Sequence, residues 1–305
     1  MKAFDKRFLK PKYWAIWLAY GLLRLLLLLP YTWIQAFGLW LGYKLAPVIK
    51  GRRKVVDVNI SLCYPELSEA QKEPLIDEIM ANNILGFFEI AYAWWGSDKV
   101  IARHSRLEGS ELIKAAQDEG KGIILIGGHF SMLDLSARVM SLHHSVDATY
   151  RKQNNPLFDY LVNKGRKPHF NELIEKKSMR KMIKNLRNGH MVWYATDQDF
   201  GRRHSVFAPF FGIPTATVTT IADLIRMTSA KPLFYSCVRE GKGKDTVYVG
   251  KVSDPFQDQF SDDAIANATL LNKVLEDQLK QHPSQYMWVH RRFKTRPNID
   301  DKGFY

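Results

Sequence analysis

The chain has 305 residues, 46% of them hydrophobic, and carries 44 Lys plus Arg against 31 Asp plus Glu, a formal net charge of +13. That hydrophobic share is ordinary for a globular protein and argues against a disordered chain, and the length suits one large domain or two small ones. The positive excess points to an anionic partner, without choosing among nucleic acid, anionic lipid and acidic protein.

The N-terminus carries the strongest partner signal. "YWAIWLAYGLLRLLLLLP", Tyr13 to Pro30, is apolar apart from Arg24. It falls slightly short of the roughly 20 residues a spanning helix needs, but Trp and Tyr near its start fit interfacial anchors. No small-residue cleavage site follows, so it reads as a retained anchor. Lys2, Lys6, Arg7, Lys10 and Lys12 precede the run, and Lys44, Lys50, Arg52, Arg53 and Lys54 follow the longer apolar region. Positive charge on both sides leaves two alternatives: a spanning helix with one flank against the positive-inside rule, or a helix lying in the inner leaflet. Residues 1–43 are therefore read as a membrane anchor and 44–305 as one catalytic domain.

Ser68 and Gln71 form a capping-box pattern that opens a long helix rich in aromatics. From Gly109 the pattern alternates. Ser110 to Glu119 reads as helix, Ile123 to Ile126 as a buried strand, Ser131 to Leu142 as helix, and Asp147 to Tyr150 as strand. A short helix follows Pro156, then a helix over Met179 to Asn188, the strand "MVWYA" and a helix over Thr217 to Met227. "PLFYSCV" and "TVYVGKV" form a hairpin across "GKGKD", and Asp262 to Gln281 is the last long helix. Strands alternating with helices predict an α/β fold with a mostly parallel sheet covered on both faces.

The chemistry-bearing stretch is "KGIILIGGHFSMLD". His129 follows the strand end and two glycines, where open α/β sheets gather their active sites. The glycines would let the chain turn sharply and a substrate come close. Asp134 has two readings. Its carboxylate could orient His129 as a general base, or it could close a Ser131–Asp134 capping box at the helix start. Asp197 and Asp199 follow "MVWYA" at the same sheet edge; they could hold loops or pair with Arg202, Arg203 or Arg151. "FAPFFGIPTAT" reads as an apolar wall beside the site, or as ordinary core. GxSxG, Walker A and GxGxxG are absent. Two distant cysteines, Cys63 and Cys237, fit a reducing compartment, and no zinc-ligand spacing occurs.

"HFSMLD" fits the HX4D/E motif of glycerolipid-type acyltransferases. "NISLCYPEL", "YRKQNNPLFDYLVNKGR", "VWYATDQDFGRRHSVFAPFFGIPTAT" and "QYMWVHRRFKTRP" resemble blocks of the bacterial lipid A late acyltransferases, especially the lauroyl and palmitoleoyl transferases that act on Kdo2-lipid IVA. One departure is Asp134, where close relatives often carry Glu. The resemblance implies transfer of an acyl chain from acyl carrier protein, the thioester co-substrate, to a hydroxyl of the lipid, with no cofactor. His129 would be the base and Asp134 its partner. Arg166 would donate to the oxyanion or clamp the acyl donor or a phosphate, and Arg151, Asn155, Asp197, Asp199, Arg202, Arg291 and Arg292 would lie in the substrate-binding region. Lipid phosphates, the acidic carrier and the anionic inner membrane, with the catalytic domain on its cytoplasmic face, then account for the positive charge. Another glycolipid or glycerolipid acceptor is the alternative within the same chemistry. Nucleic-acid binding has charge alone in its favour, since no recognition motif accompanies it.

Overall fold

The computed structural model describes residues 4–241 and 243–305. Lys2 of the basic N-terminal flank and Lys242 of the "GKGKD" turn lie outside the described residues.

The apolar N-terminus forms two helices. α1 (Trp14–Leu26) ends before Pro30, which disfavours helical backbone at the residue preceding it, and α2 (Tyr31–Leu45) starts directly after. The 13 residues of α1 rise about 20 Å, against a hydrocarbon core of about 30 Å. Among the described residues no helix is long and apolar enough to cross a membrane, so the spanning alternative for Tyr13–Pro30 is not met. The charge inside the run has a partner too: the Arg24 guanidinium lies 5.0 Å from the centre of the Trp95 ring.

The apolar region is also tied into the folded body. α3 (Lys50–Cys63) leads to α4 (Glu69–Trp95), where the Ser68 N–H donates to Gln71 Oε1 at 2.9 Å as the capping pattern predicts. Ile34 of α2 is 1% exposed, and the buried amide of Gln35 donates to the Tyr248 hydroxyl at 3.0 Å. Upstream, Phe8 and Tyr13 pack on Leu157 and Leu161. Downstream, Arg52 donates to the Val289 carbonyl at 3.1 Å. Both basic flanks therefore sit against the same body, which removes the conflict over positive charge on two sides of the run.

The remaining elements are α5 (Asp98–Arg103), β1 (Ser105–Glu108), α6 (Ser110–Asp118), β2 (Ile123–Gly127), α7 (Leu133–Ser141), β3 (Asp147–Tyr150), α8 (Pro156–Arg166), β4 (Glu172–Glu175), α9 (Met179–Arg187), β5 (Met191–Ala195), β6 (Ser205–Phe210), β7 (Ile213–Val218), α10 (Thr220–Thr228), β8 (Lys231–Glu240), β9 (Val247–Ser253) and α11 (Ala264–Gln281). Seven strands form one sheet in the order β1-β9-β8-β2-β5-β3-β4. β8, β2, β5, β3 and β4 run parallel, while β9 is antiparallel to β8 and β1 runs with β9. This is the α/β architecture the alternation predicts. β2 lies inside the sheet, and all five of its residues are buried, as its unbroken apolar run requires.

Four strands were not anticipated: β1, β4, and the pair β6 and β7. β4 is four residues bounded by glutamates, too short for its pattern to register. β6 and β7 form a separate antiparallel ribbon with Pro209 opposite Pro214. Proline argues against a central strand, and these two strands pair only with each other. The ribbon is packed into the core: Ala208, Phe210 and Ala216 are fully buried.

Candidate active site

The site is built at the carboxyl edge of the sheet by strand register. β2 and β5 are adjacent and parallel, with Gly127 opposite Ala195. The chain continues equally far from each, to His129 and to Asp197, so the two side chains meet. His129 Nδ1 lies 2.6 Å from Asp197 Oδ1, and the His129 backbone N–H donates to Oδ2 at 2.7 Å. The Tyr286 hydroxyl donates to the same oxygen at 2.8 Å. Burial opposes ionisation of Asp197, but the His129 charge and these hydrogen bonds outweigh it and hold the carboxyl well below its ordinary range. An ionised acceptor on Nδ1 favours the ring proton there, so that in the neutral ring the lone pair lies on Nε2.

Gly128 has a packing role. Neither Gly127 nor Gly128 has a positive φ, so the sharp-turn reason for this pair does not apply. A Cβ on Gly128 would come within 2.8 Å of the Leu275 side chain and 3.5 Å of Asp197 Oδ2, so glycine here lets the loop close on the carboxylate.

Asp134 does neither of the two things its spacing suggested. α7 begins at Leu133, with Met132 at the cap position and no side-chain cap. The Ser131 hydroxyl instead accepts from Arg239 at 2.6 Å. The Asp134 carboxylate accepts from Arg166 Nε at 2.6 Å and a terminal nitrogen at 2.8 Å, and from the Trp94 indole at 2.9 Å. Burial disfavours charge on both partners, yet the pairing holds Asp134 low and Arg166 high. Arg166 is thus engaged by a carboxylate inside the protein. Glycine precedes it for a reason: a Cβ on Gly165 would fall 2.3 Å from the Trp94 ring.

His129, Asp134, Arg151 and Arg166 line one cavity of about 420 Å³. Its lining includes the apolar residues Leu125, Met140, Val146, Ala148 and Trp193. "FAPFFGIPTAT" does not line it; that segment is the buried ribbon, the plainer of its two readings. The other candidates are dispersed. Asn155 caps α8, its Oδ1 accepting from the Leu157 N–H at 3.0 Å. Asp199 pairs with none of the arginines proposed for it and takes the Thr295 N–H at 2.6 Å and the Thr295 hydroxyl at 2.8 Å. Arg202 donates to the Pro297 carbonyl. Arg292 is 2% exposed and spends its donors on the Ala216 carbonyl, Thr217 and Asn272, so it is a core residue. Arg291 stays exposed over the Tyr305 ring.

Sequence reasoning missed three groups. Tyr286 supports Asp197. The Gln198 side-chain nitrogen lies 3.3 Å from His129 Nε2 and 3.4 Å from His290 Nε2. The His290 ring is 5.9 Å from that of His129, and burial with the neighbouring His129 charge pushes its pKa down. Tyr286 and His290 lie in "QYMWVHRRF", where attention went to the arginines.

Comparison with known proteins identifies the family. The family described as bacterial lipid A biosynthesis acyltransferase matches residues 1–295. The chain belongs to that family. It is 37% identical over 297 residues to the lipid A biosynthesis lauroyltransferase of Escherichia coli, covering 96% of each chain. It is 34% identical over 295 residues to that organism's lipid A biosynthesis palmitoleoyltransferase, covering 96% of this chain and 95% of the relative. A lipid A biosynthesis acyltransferase of Haemophilus influenzae is 34% identical over 306 residues, 99% of this chain and 97% of its own. In this lipid A biosynthesis acyltransferase, the His129–Asp197 pair lies on the wall of the cavity.

Proposed function

We propose that this acyltransferase moves a fatty acyl chain from acyl carrier protein to a hydroxyl of a hydroxyacyl chain on Kdo2-lipid IVA, with His129 as general base and Asp197 as the carboxylate that orients it. The observation that carries this reading is the His129–Asp197 contact, with His129 on the wall of the cavity. The acceptor hydroxyl gives its proton to His129 Nε2 as its oxygen attacks the thioester carbon. The tetrahedral intermediate collapses by breaking the C–S bond, and the departing sulfur takes the proton back from His129. A thioester is already activated, so the scheme calls on no cofactor. Asp197 stabilises the imidazolium formed in between.

Gln198 occupies the Nε2 lone pair in the structure, so the acceptor hydroxyl takes the place of its amide. The Asp134–Arg166 pair walls the cavity and acts through shape. Relatives named for lauroyl and palmitoleoyl transfer support a donor of that kind.

Membrane attachment is the second part of the reading. Trp14, Leu18, Leu22 and Leu25 recur at helical spacing along α1 and are each more than half exposed, as are Trp33 and Trp40 on α2. Exposed apolar stripes on short helices fit burial in the headgroup region of the anionic inner membrane. The full-length protein in detergent, given acyl carrier protein loaded with lauroyl, palmitoleoyl or myristoyl chains and Kdo2-lipid IVA, tests the chemistry by mass spectrometry of the lipid. An acylated product with one of these donors is expected, and no product with any of them would sink the reading.

A further inference from the structure

β3 and β4 repeat the register device that builds the active site, with basic residues. Tyr150 lies opposite Glu175, so Arg151 and Lys176 leave the sheet side by side, and the Lys176 N–H donates to the Tyr150 carbonyl at 2.8 Å. Lys152 and Lys177 follow them. These four cations, with Glu175, Gln153 and Asn154, line a cleft of about 350 Å³. It shares Tyr150, Arg151 and Gln153 with the cavity that holds His129, so the two adjoin.

Among the described residues, no carboxylate forms an ion pair with any of the four. Nearby basic residues behave differently: Lys181 pairs with Glu172 at 2.8 Å and Arg166 with Asp134. Lys176 stands out further. Its ammonium lies 3.7 Å from the centre of the Phe200 ring and 5.0 Å from that of Tyr194, and the side chain is half-buried. A solvated lysine needs no such shelf. Burial pushes its pKa down to about 8, a cost that an arriving anion would offset.

We infer that Arg151, Lys152 and Lys176 form a phosphate-binding subsite at the carboxyl edge of β3 and β4, which holds a phosphate group of a substrate whose reacting end lies at His129. A phosphate suits the arrangement better than a lone carboxylate. A monoester brings up to two charges and three free acceptor oxygens, enough for a two-pronged guanidinium and an ammonium at once, and a diester brings one charge and two free oxygens beside its ester oxygens. The aromatic shelf fixes the ammonium in place by cation–π attraction and limits its contact with water. Two sources present this chemistry under the proposed function, on which the inference rests: a phosphate on the lipid disaccharide, and the phosphodiester in the prosthetic arm of the acyl carrier.

Kinetics on the full chain with Lys176→Gln and Lys176→Arg separates them. Removing one charge-assisted contact should raise one KM roughly tenfold, with the arginine variant recovering most of it. A raised acceptor KM that vanishes when the acceptor lacks its phosphates assigns the subsite to the lipid. A raised KM for the acyl carrier alone assigns it to the prosthetic arm. Lys114→Gln, which removes an exposed charge on α6, controls for net charge and should change neither. Binding of inorganic phosphate to the full chain, followed by phosphorus NMR, reads the site without turnover and should weaken in Lys176→Gln. Unchanged KM values and unchanged phosphate binding would overturn the subsite. Absence of acyl transfer by the unmodified protein would instead sink the underlying reaction, leaving the phosphate titration to stand or fall separately.

Discussion

Arg166 closes on Asp134 with two parallel hydrogen bonds, Nε to Oδ1 at 2.6 Å and a terminal nitrogen to Oδ2 at 2.8 Å. The pair joins α8 to α7, and the Trp94 indole adds α4. Three helices are thereby held by one carboxylate.

Asp134→Asn would leave the Arg166 guanidinium without its counter-charge in a largely buried setting, a change that costs about 3 kcal/mol or more. The expected result is a clear fall in thermal midpoint, partly restored in the double variant with Arg166→Gln. The pH dependence has a definite sign. Asp134 is held below its ordinary value of 3.8, so its contribution is present above that pH and is lost as pH falls through the lower folded value. The gap in stability between the unmodified protein and Asp134→Asn should therefore be full at pH 7 and shrink in acid below about pH 4. A gap independent of pH would argue against an ionised Asp134.

Asp197→Asn tests the orienting role directly. An amide can leave the fold intact while presenting the wrong partner to His129 Nδ1, a type of change that lowers kcat by about 10⁴ in the best-known triad. His129→Ala should cost at least as much. Tyr286→Phe, which removes one donor to Asp197, should cost far less, roughly tenfold. Circular dichroism should report folded protein for all three. An Asp197→Asn variant with near-normal turnover would return the orienting role to some other group.

The legibility of the site follows from which contacts are local. His129 could be read because an apolar strand, two glycines and a histidine are consecutive. Its partner could not, because nothing in the sequence says that β5 lies beside β2; the chain visits β3 and β4 before returning to that gap. Spacing favoured Asp134, the carboxylate nearest in sequence, and three-dimensional adjacency gave the contact to Asp197. Arg292 misled in a similar way. It belongs to a basic run read as substrate-binding, but β7 and α11 supply a cage of acceptors that only tertiary structure assembles. The sheet itself was readable because buried parallel strands are continuous apolar runs between helices with clear ends. The ribbon was not, because its prolines carry the opposite signal.

Gly165→Ala probes how tightly α8 sits on α4. The added methyl would overlap the Trp94 ring, whose indole holds Asp134. Overpacking of this kind costs about 1–3 kcal/mol. Because the displaced residues carry Arg166 and Asp134, activity should fall together with stability. A more stable variant, as alanine in a free helix would give, would show that the approach of the two helices is looser than described.

The stripe on α1 allows attachment to be separated from folding. Trp14, Leu18, Leu22 and Leu25 bury no contact that the core depends on, being 62%, 65%, 55% and 59% exposed. Replacing all four by Ser should leave the thermal midpoint in detergent nearly unchanged, since exposed positions rarely shift stability by more than about 0.5 kcal/mol. The same variant should lose most of its binding to vesicles of anionic lipid in a flotation assay. Each side chain contributes roughly 1.5–3 kcal/mol when its apolar surface leaves water, so even partial insertion of four gives a large difference. High salt distinguishes the two forces: it should release little of the unmodified protein, because the apolar term is not screened, but most of what the variant still binds through Lys and Arg. Full retention of the variant at high salt would place the membrane contact elsewhere on the molecule.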